Sequence, residues 1–299
     1  MDSPVKTRTL IGLALVAVLM SVGVAPARGD TNTMLELSAA SAFVEQVDTG
    51  AVLFEREADI RVPIASLAKL MTGLLVCKDA DPADTLVISP YALSQLGRMG
   101  GFRAGEEIRV GDVLGLTIIE SSNDGATALA EYFAAKRGLL DSRTDKASDP
   151  AAPERRFVEA MNREAGVMGL SNTHFANPHG MDDEGGYISA RDAARLFKAF
   201  IQYPLLLKIA GTREYECTSV DGTIQHRARN TNLILDPTRG ILAGKTGTTA
   251  KAGEHLVVLW QPAGSLDRNI VVVLGSTNRY ADTAAILGKL QAAGAKAEP

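Results

Sequence analysis

Cysteine is scarce in this chain, with two among 299 residues, Cys77 and Cys217. They allow one disulfide at most, and only in an oxidising compartment. Cys77 follows Leu74, Leu75 and Val76, so a small buried hydrophobe is its expected role. Histidine is almost as rare, with four residues and no His or Cys cluster at ligand spacing, so no metal site is expected. No charge of one sign dominates. The 31 basic residues stand against 35 acidic ones and give a net charge of -4. That balance offers no field for nucleic acid. Beyond residue 30 no segment is apolar enough to span a membrane, and no internal repeat is visible. What is present is 46% hydrophobic content with 28 Gly and 12 Pro, which fits one sizeable unit, or two packed subdomains, rich in tight turns.

The first thirty residues differ from the rest. Lys6 and Arg8 precede an apolar run from Leu10 to Val24, and Ala25-Pro26-Ala27 forms a small-x-small pattern before Arg28. This is the layout of a secretory signal over residues 1–27, with cleavage expected after Ala27. An uncleaved anchor is the alternative, although the run is shorter than the roughly 20 apolar residues of a span. Either way residues 28–299 are expected outside the cytoplasm, in a periplasm or cell-wall space.

Strand signals open the mature chain. Ala42–Val47 and Ala51–Glu55 flank Asp48-Thr49-Gly50 and read as a hairpin. A helix is expected from Ser66 to about Lys78, with Leu67, Leu70, Met71 and Leu74 at helical spacing. Asp112 reads as the N-cap of a helix running towards Ile119. Ala126–Lys136, Phe157–Ala165 and Arg191–Ile201 are further helices. The polar stretch Gly138–Arg156, with Pro150 and Pro153, reads as a loop. His255–Trp260 and Ile270–Ser276 form an antiparallel hairpin, and a helix spans about Ala281–Ala292. The order implies an α+β fold, with a sheet made from both chain ends (about 35–65 and 216–292) and an inserted helical part (about 66–215).

Three short strings carry chemistry. In Ser66-Leu67-Ala68-Lys69, residues three apart share a helical face. The Lys69 amine can then take the proton that makes the Ser66 hydroxyl nucleophilic. A helix N-terminus there also favours the developing anion. The string is weak alone, since Ser3-Pro4-Val5-Lys6 matches it inside the signal. Ser121-Ser122-Asn123 lies between two helices. Ser121 could relay a proton or merely cap a helix, and the Asn123 amide could hold a peptide group. Ser276-Thr277-Asn278 is a decoy of the same pattern. Lys245-Thr246-Gly247 occurs once, on an expected strand, where Gly247 permits close approach of a backbone. An exposed charged strand end is its bland reading. Taken in this order and context, the three strings match the set of penicillin-binding proteins and class A β-lactamases.

Longer strings are more specific. Pro63-Ile64-Ala65-Ser66-Leu67-Ala68-Lys69-Leu70-Met71-Thr72, Ser121-Ser122-Asn123-Asp124, Thr173–Met181, Ser189-Ala190-Arg191-Asp192 and Gly244-Lys245-Thr246-Gly247 together make the chain resemble the D-alanyl-D-alanine carboxypeptidases, low-molecular-mass penicillin-binding proteins of peptidase family S11. The resemblance runs from about Ser41 to Leu290. It implies a β-lactamase/transpeptidase-like fold and an acyl-enzyme on Ser66, with Lys69 as general base. Ser121 would help protonate the leaving D-alanine, Lys245 would orient that relay, and Asn123 would hold the peptide. The oxyanion hole would come from the N–H groups of Ser66 and Thr248. Thr246, Thr248 and Arg279 would face the terminal carboxylate. The implied substrates are peptidoglycan stem peptides, with β-lactams as covalent inhibitors and no cofactor. The chain departs from the family in a polar stretch near Asp141–Pro153 that looks inserted, and in Ala68 before the catalytic lysine. No C-terminal membrane anchor is expected. A D,D-endopeptidase is the nearest alternative. A class A β-lactamase fits less well, since no Glu-x-x-Leu-Asn-like string lies between Asn123 and Lys245. A silent penicillin-binding sensor is disfavoured by the intact serine and lysines.

Overall fold

A computed structural model describes residues 1, 35–97, 99–182 and 185–294. The chain divides into Met1–Asp30 and Thr31–Pro299, and every element below belongs to the second unit. Apart from Met1, the expected export segment, residues 1–27, lies outside the described residues.

The chain opens with strands β1 (Ser41–Gln46), β2 (Val52–Arg56) and β3 (Val62–Pro63), then a 3-10 turn at Ala65–Leu67 and helix α1 (Ala68–Asp79). Next come β4 (Thr85–Val87), β5 (Glu107–Arg109), α2 (Val110–Ile119), α3 (Asn123–Lys136), α4 (Ala152–Val167) and β6 (Tyr187–Ile188). Helices α5 (Ala190–Phe200) and α6 (Pro204–Ala210) lead to β7 (Glu214–Thr218) and β8 (Gln225–Arg229). The end is β9 (Ile241–Thr249), β10 (Gly253–Trp260), β11 (Asn269–Ser276) and α7 (Arg279–Gly294).

Both chain ends build one five-stranded sheet in the order β2-β1-β11-β10-β9. Every neighbouring pair in it is antiparallel, as with Ala42 opposite Val273 and Lys245 opposite Val257. Strand β11 reads as a continuous apolar run because both faces are covered. Ile270, Val272 and Leu274 point into one core with Phe43 and Val257, while Val271 and Val273 point into another with Trp260 and Ile286. Helix α5 closes the first face and α7 the second. Helix α1 has nine consecutive buried residues, Ala68–Val76, so it threads the middle of the helical part rather than lying on its surface.

Several boundaries differ from the sequence expectation. Helix α4 starts at Ala152, and Pro153 sits in its first turn, where a missing N–H costs nothing. Arg109 occupies the N-cap position of α2, and Asp112 lies inside the first turn, accepting from the Tyr215 hydroxyl at 2.5 Å. The β7–β8 hairpin, placed with the sheet part from the sequence, forms its own two-stranded sheet against α2, and the main sheet resumes at Ile241. Helix α6 was too short to show a period. Cys77 and Cys217 are free and half-buried, and burial raises both thiols, Cys217 to about 12.

Candidate active site

Ser66 lies in the 3-10 turn that feeds α1, just before the α-helix begins at Ala68. The turn is held tightly. Ala65 has φ +48, a left-handed conformation that costs a non-glycine residue on the order of 1–2 kcal/mol. Two glycines pack on it. A Cβ on Gly180 (φ +81) would lie 1.7 Å from the Ala65 carbonyl oxygen, and one on Gly247 would lie 3.2 Å from the Ser66 nitrogen. Gly247 thus lets β9 close on the nucleophile itself, which the sequence had assigned to a substrate backbone. His255 adds a long-range tie. Its Nδ1 accepts from Gly275 N–H at 3.0 Å, so its Nε2 carries the proton donated to the Pro63 carbonyl at 2.8 Å.

Lys69 is the second residue of α1 and is 0% exposed. Its Nζ lies 3.0 Å from Ser66 Oγ, 2.6 Å from Asn123 Oδ1 and 2.7 Å from the His179 carbonyl oxygen. Burial first, and the charge of Lys245 second, hold its pKa well below the ordinary lysine value, while Asp124 pulls the other way. A neutral amine beside the serine hydroxyl can accept its proton. His179 is also pushed down, to about 3, by burial and then by Lys69.

Asn123 opens α3. Its Oδ1 accepts from Lys69, and its Nδ2 donates to the Leu96 carbonyl at 2.6 Å. The amide therefore orients Lys69 first, which leaves one N–H and one lone pair for a peptide. The helix is capped by Ser122, whose Oγ accepts from Gly125 N–H at 3.0 Å. Ser121 is not the cap. Its φ of +71 turns the hydroxyl away from the helix and into the cleft, where Lys245 donates to it at 2.8 Å. Lys245 is 1% exposed, and burial, helped by Arg279, lowers it to about 7.

The remaining expected residues sit beside this cluster. The Thr246 hydroxyl is 2.6 Å from that of Thr231. Arg279 had been expected to meet a substrate carboxylate, but most of its donors are already engaged. Nε reaches Glu254, Nη1 reaches the carbonyls of Gly247 and His255, and Nη2 reaches Thr248 Oγ1 at 2.5 Å. One of its five N–H groups is left for a ligand. Glu254 also accepts from the Arg279 backbone N–H, which offsets the misfit of a cation at a helix start.

Ser66, Lys69, Ser121, Asn123 and Lys245 are thus brought together, and Gly247, Thr248 and Arg279 form the adjoining wall. His179 and Gly180 had a visible signal, since they stand in the Thr173–Met181 string. His255 and Thr231 had none.

The D-alanyl-D-alanine carboxypeptidase family matches residues 28–140 and 145–278, an interruption that falls inside the stretch expected to be inserted. The chain is 32% identical over 284 residues to a D-alanyl-D-alanine endopeptidase of Pseudomonas aeruginosa, covering 90% of this chain and 85% of that one. It is 31% identical to the D-alanyl-D-alanine carboxypeptidase DacF of Bacillus subtilis, covering 90% of this chain but only 65% of the relative's length. The crystal structure of the Streptomyces K15 DD-transpeptidase has the same fold, with a TM-score of 0.76 at 24% identity over 87% of this chain and 99% of that one. On these grounds the chain belongs to the D-alanyl-D-alanine carboxypeptidase family of serine peptidases.

Proposed function

We propose that the chain removes the terminal D-alanine from peptidoglycan stem pentapeptides through an acyl-enzyme on Ser66, outside the cytoplasm, and that β-lactams acylate the same serine. The observation that carries this reading is a fully buried Lys69 amine 3.0 Å from Ser66 Oγ, with a second lysine 2.8 Å from Ser121. In the first step Lys69 takes the hydroxyl proton as Oγ bonds to the carbonyl carbon of the penultimate D-alanine. The oxyanion turns towards the N–H groups of Ser66 and Thr248. The C–N bond then breaks, and the leaving amine receives a proton through Ser121, which Lys245 orients. Water repeats the sequence on the ester, releasing the shortened peptide and restoring Ser66. Thr246, Thr248 and the last N–H of Arg279 receive the terminal carboxylate.

Cross-link cleavage is the second reading, favoured by the Pseudomonas relative named as an endopeptidase. Fluorescent penicillin should label the wild type and leave Ser66→Ala unlabelled but folded. Labelling that persists in the variant would remove Ser66 from the chemistry. Digestion of purified muropeptides separates the two activities, since a carboxypeptidase releases free D-alanine and an endopeptidase converts dimers to monomers.

A further inference from the structure

The loop between β4 and β5 runs past Asn123. Its Leu96 carbonyl accepts from Asn123 Nδ2 at 2.6 Å, and at Gly97 (φ +72) a Cβ would lie 2.7 Å from that nitrogen. The loop therefore decides which way the Asn123 amide faces. With Nδ2 held by Leu96, Oδ1 is the atom turned to Lys69. Packing among the described residues does little to hold the loop itself. Leu96 and Met99 are 75% and 53% exposed, and Gly97, Gly100 and Gly101 have no side chain to bury. Polar pins hold it instead. The N–H groups of Met99 and Gly100 reach Asp124 Oδ1 at 3.4 and 3.3 Å, long for bonds to a carboxylate. The short pin comes from the other side, where the Gly100 carbonyl lies 2.8 Å from Nδ1 of His226 on β8. Arg98 lies outside the described residues, and none of these bonds depends on it.

His226 and Glu106 form a buried pair that none of the catalytic roles above uses. His226 Nε2 lies 2.6 Å from Glu106 Oε1, and Glu106 Oε2 accepts from Arg103 N–H at 3.0 Å. The hydrogens can be counted. A carbonyl oxygen only accepts, so Nδ1 carries the proton that meets Gly100. Nε2 and Oε1 then need a second proton between them, whether it rests on the ring or on the carboxyl. Glu106 thereby keeps the Nδ1–H directed at the loop, since a neutral ring with its proton on Nε2 would turn a lone pair onto the Gly100 carbonyl. Burying such a pair gains the fold little, because desolvation offsets its attraction. Its one described contact with the loop at Asn123 is the bond to Gly100.

We propose that His226 and Glu106 are positioning residues for acylation. His226 fixes the loop at Gly100, the loop fixes the Asn123 amide at Leu96, and Asn123 Oδ1 then holds the Lys69 amine beside Ser66. The assignment rests on the proposed chemistry at Ser66 and adds to it a pair that touches neither the nucleophile nor the base.

The test uses two substitutions of His226 that each keep one of its bonds, read by the rate of penicillin acylation and by thermal melts. In His226→Asn the amide nitrogen takes the place of Nδ1 and still donates to Gly100, while Glu106 loses its partner. In His226→Gln the amide reaches Glu106, and the Gly100 oxygen loses its donor. A purely structural role predicts that the Asn variant is the worse, because it strands a buried carboxyl group, the costlier loss. A positioning role predicts the opposite order in rate. His226→Asn should acylate close to the wild-type rate, and His226→Gln should be slower by about tenfold or more, since near-attack geometry tolerates little displacement. Glu106→Gln leaves every partner satisfied, with its oxygen on the Arg103 N–H and its NH2 donating to Nε2, and should acylate at the wild-type rate. A His226→Gln variant as fast as wild type, rates that follow the melting temperatures across the variants, or a folded Glu106→Gln as slow as His226→Gln overturns the assignment. Failure of penicillin to label the wild type would instead overturn the reading of Ser66, so the two failures are distinct.

Discussion

Two lysines share one cleft, and the charge of one helps to set the protonation of the other. For Lys69 to act as base while Lys245 is still an ammonium, Lys69 must lose its proton first, and the charge of Lys245, which lowers Lys69, favours that order. The kcat/KM profile should therefore rise as Lys69 deprotonates and fall as Lys245 does, near pH 7 in the free enzyme. A bound carboxylate raises Lys245, so the falling limb of kcat should sit at higher pH than that of kcat/KM. Lys69→Ala should lower acylation by about 10²–10⁴-fold, and Lys245→Gln should move the rising limb to higher pH by removing a positive neighbour. A rising limb that stays in place in Lys245→Gln would break the coupling. Ser121 supplies a second residue-scale test. Its φ of +71 strains any side chain, so Ser121→Gly should be more stable than Ser121→Ala by about 1 kcal/mol, though both lack the hydroxyl. Thermal melts of the pair decide it. The sequence did reveal the Ser66–Lys69 pairing, because residues three apart meet whether the turn is α or 3-10. It could not reveal which of Ser121 and Ser122 caps α3, since both have capping side chains and only the backbone twist at Ser121 separates them.

At the scale of elements, the site depends on how closely β9 and the residue 179–181 segment approach the nucleophile turn. Gly180→Ala puts a methyl 1.7 Å from a backbone oxygen at φ +81, and neither group can give way cheaply. It should lower stability by about 3 kcal/mol or more and abolish penicillin labelling. Gly247→Ala is milder, with contacts of 3.1 and 3.2 Å to Ala65 and Ser66. There a shift of a few tenths of an ångström should cut kcat by about tenfold or more while the melting temperature moves little, because near-attack geometry tolerates little displacement. Equal labelling rates in Gly247→Ala and wild type would show that β9 does not set the geometry of Ser66. The helices other than α6, and the β10–β11 hairpin, were legible from periodicity and turn residues. The engagement of the Arg279 donors was not. Its side-chain acceptors are Glu254, two backbone carbonyls and a threonine on β9 and β10, contacts between segments 24 to 32 residues apart in sequence that no local pattern encodes.

For the whole molecule, the strand–helix–strand order was enough to place both chain ends in one sheet, but the buried charges inside it follow only from packing. They make stability depend on pH in opposing ways. Burial raises Glu120 and Glu131 from 4.5 to about 7. Between those values the folded chain holds protons that the unfolded chain has released, so their contribution falls as pH rises and the cost is complete above about 7. His179, pushed from 6.5 to about 3, acts in the opposite sense over pH 3–6.5, since there the unfolded chain binds the extra proton. Over pH 4.5–6.5 the two carboxyls oppose the one imidazole, so the melting temperature of the intact protein reports no single group. Above pH 7 the depressed Lys245 makes stability rise towards its unfolded value of 10.5. A single variant exposes one term. Glu131→Gln keeps a partner for the Ser89 hydroxyl, which lies 2.8 Å from both carboxylate oxygens, and removes the titration. Its advantage over wild type should be small at pH 4.5 and grow to on the order of 1–2 kcal/mol at pH 7, allowing for solvent screening of a half-buried group. In a chain of this size that is a gain of roughly 2–8 °C in melting temperature. Parallel melting curves for the two proteins across pH 4.5–7 would mean that Glu131 is already ionised in the folded state.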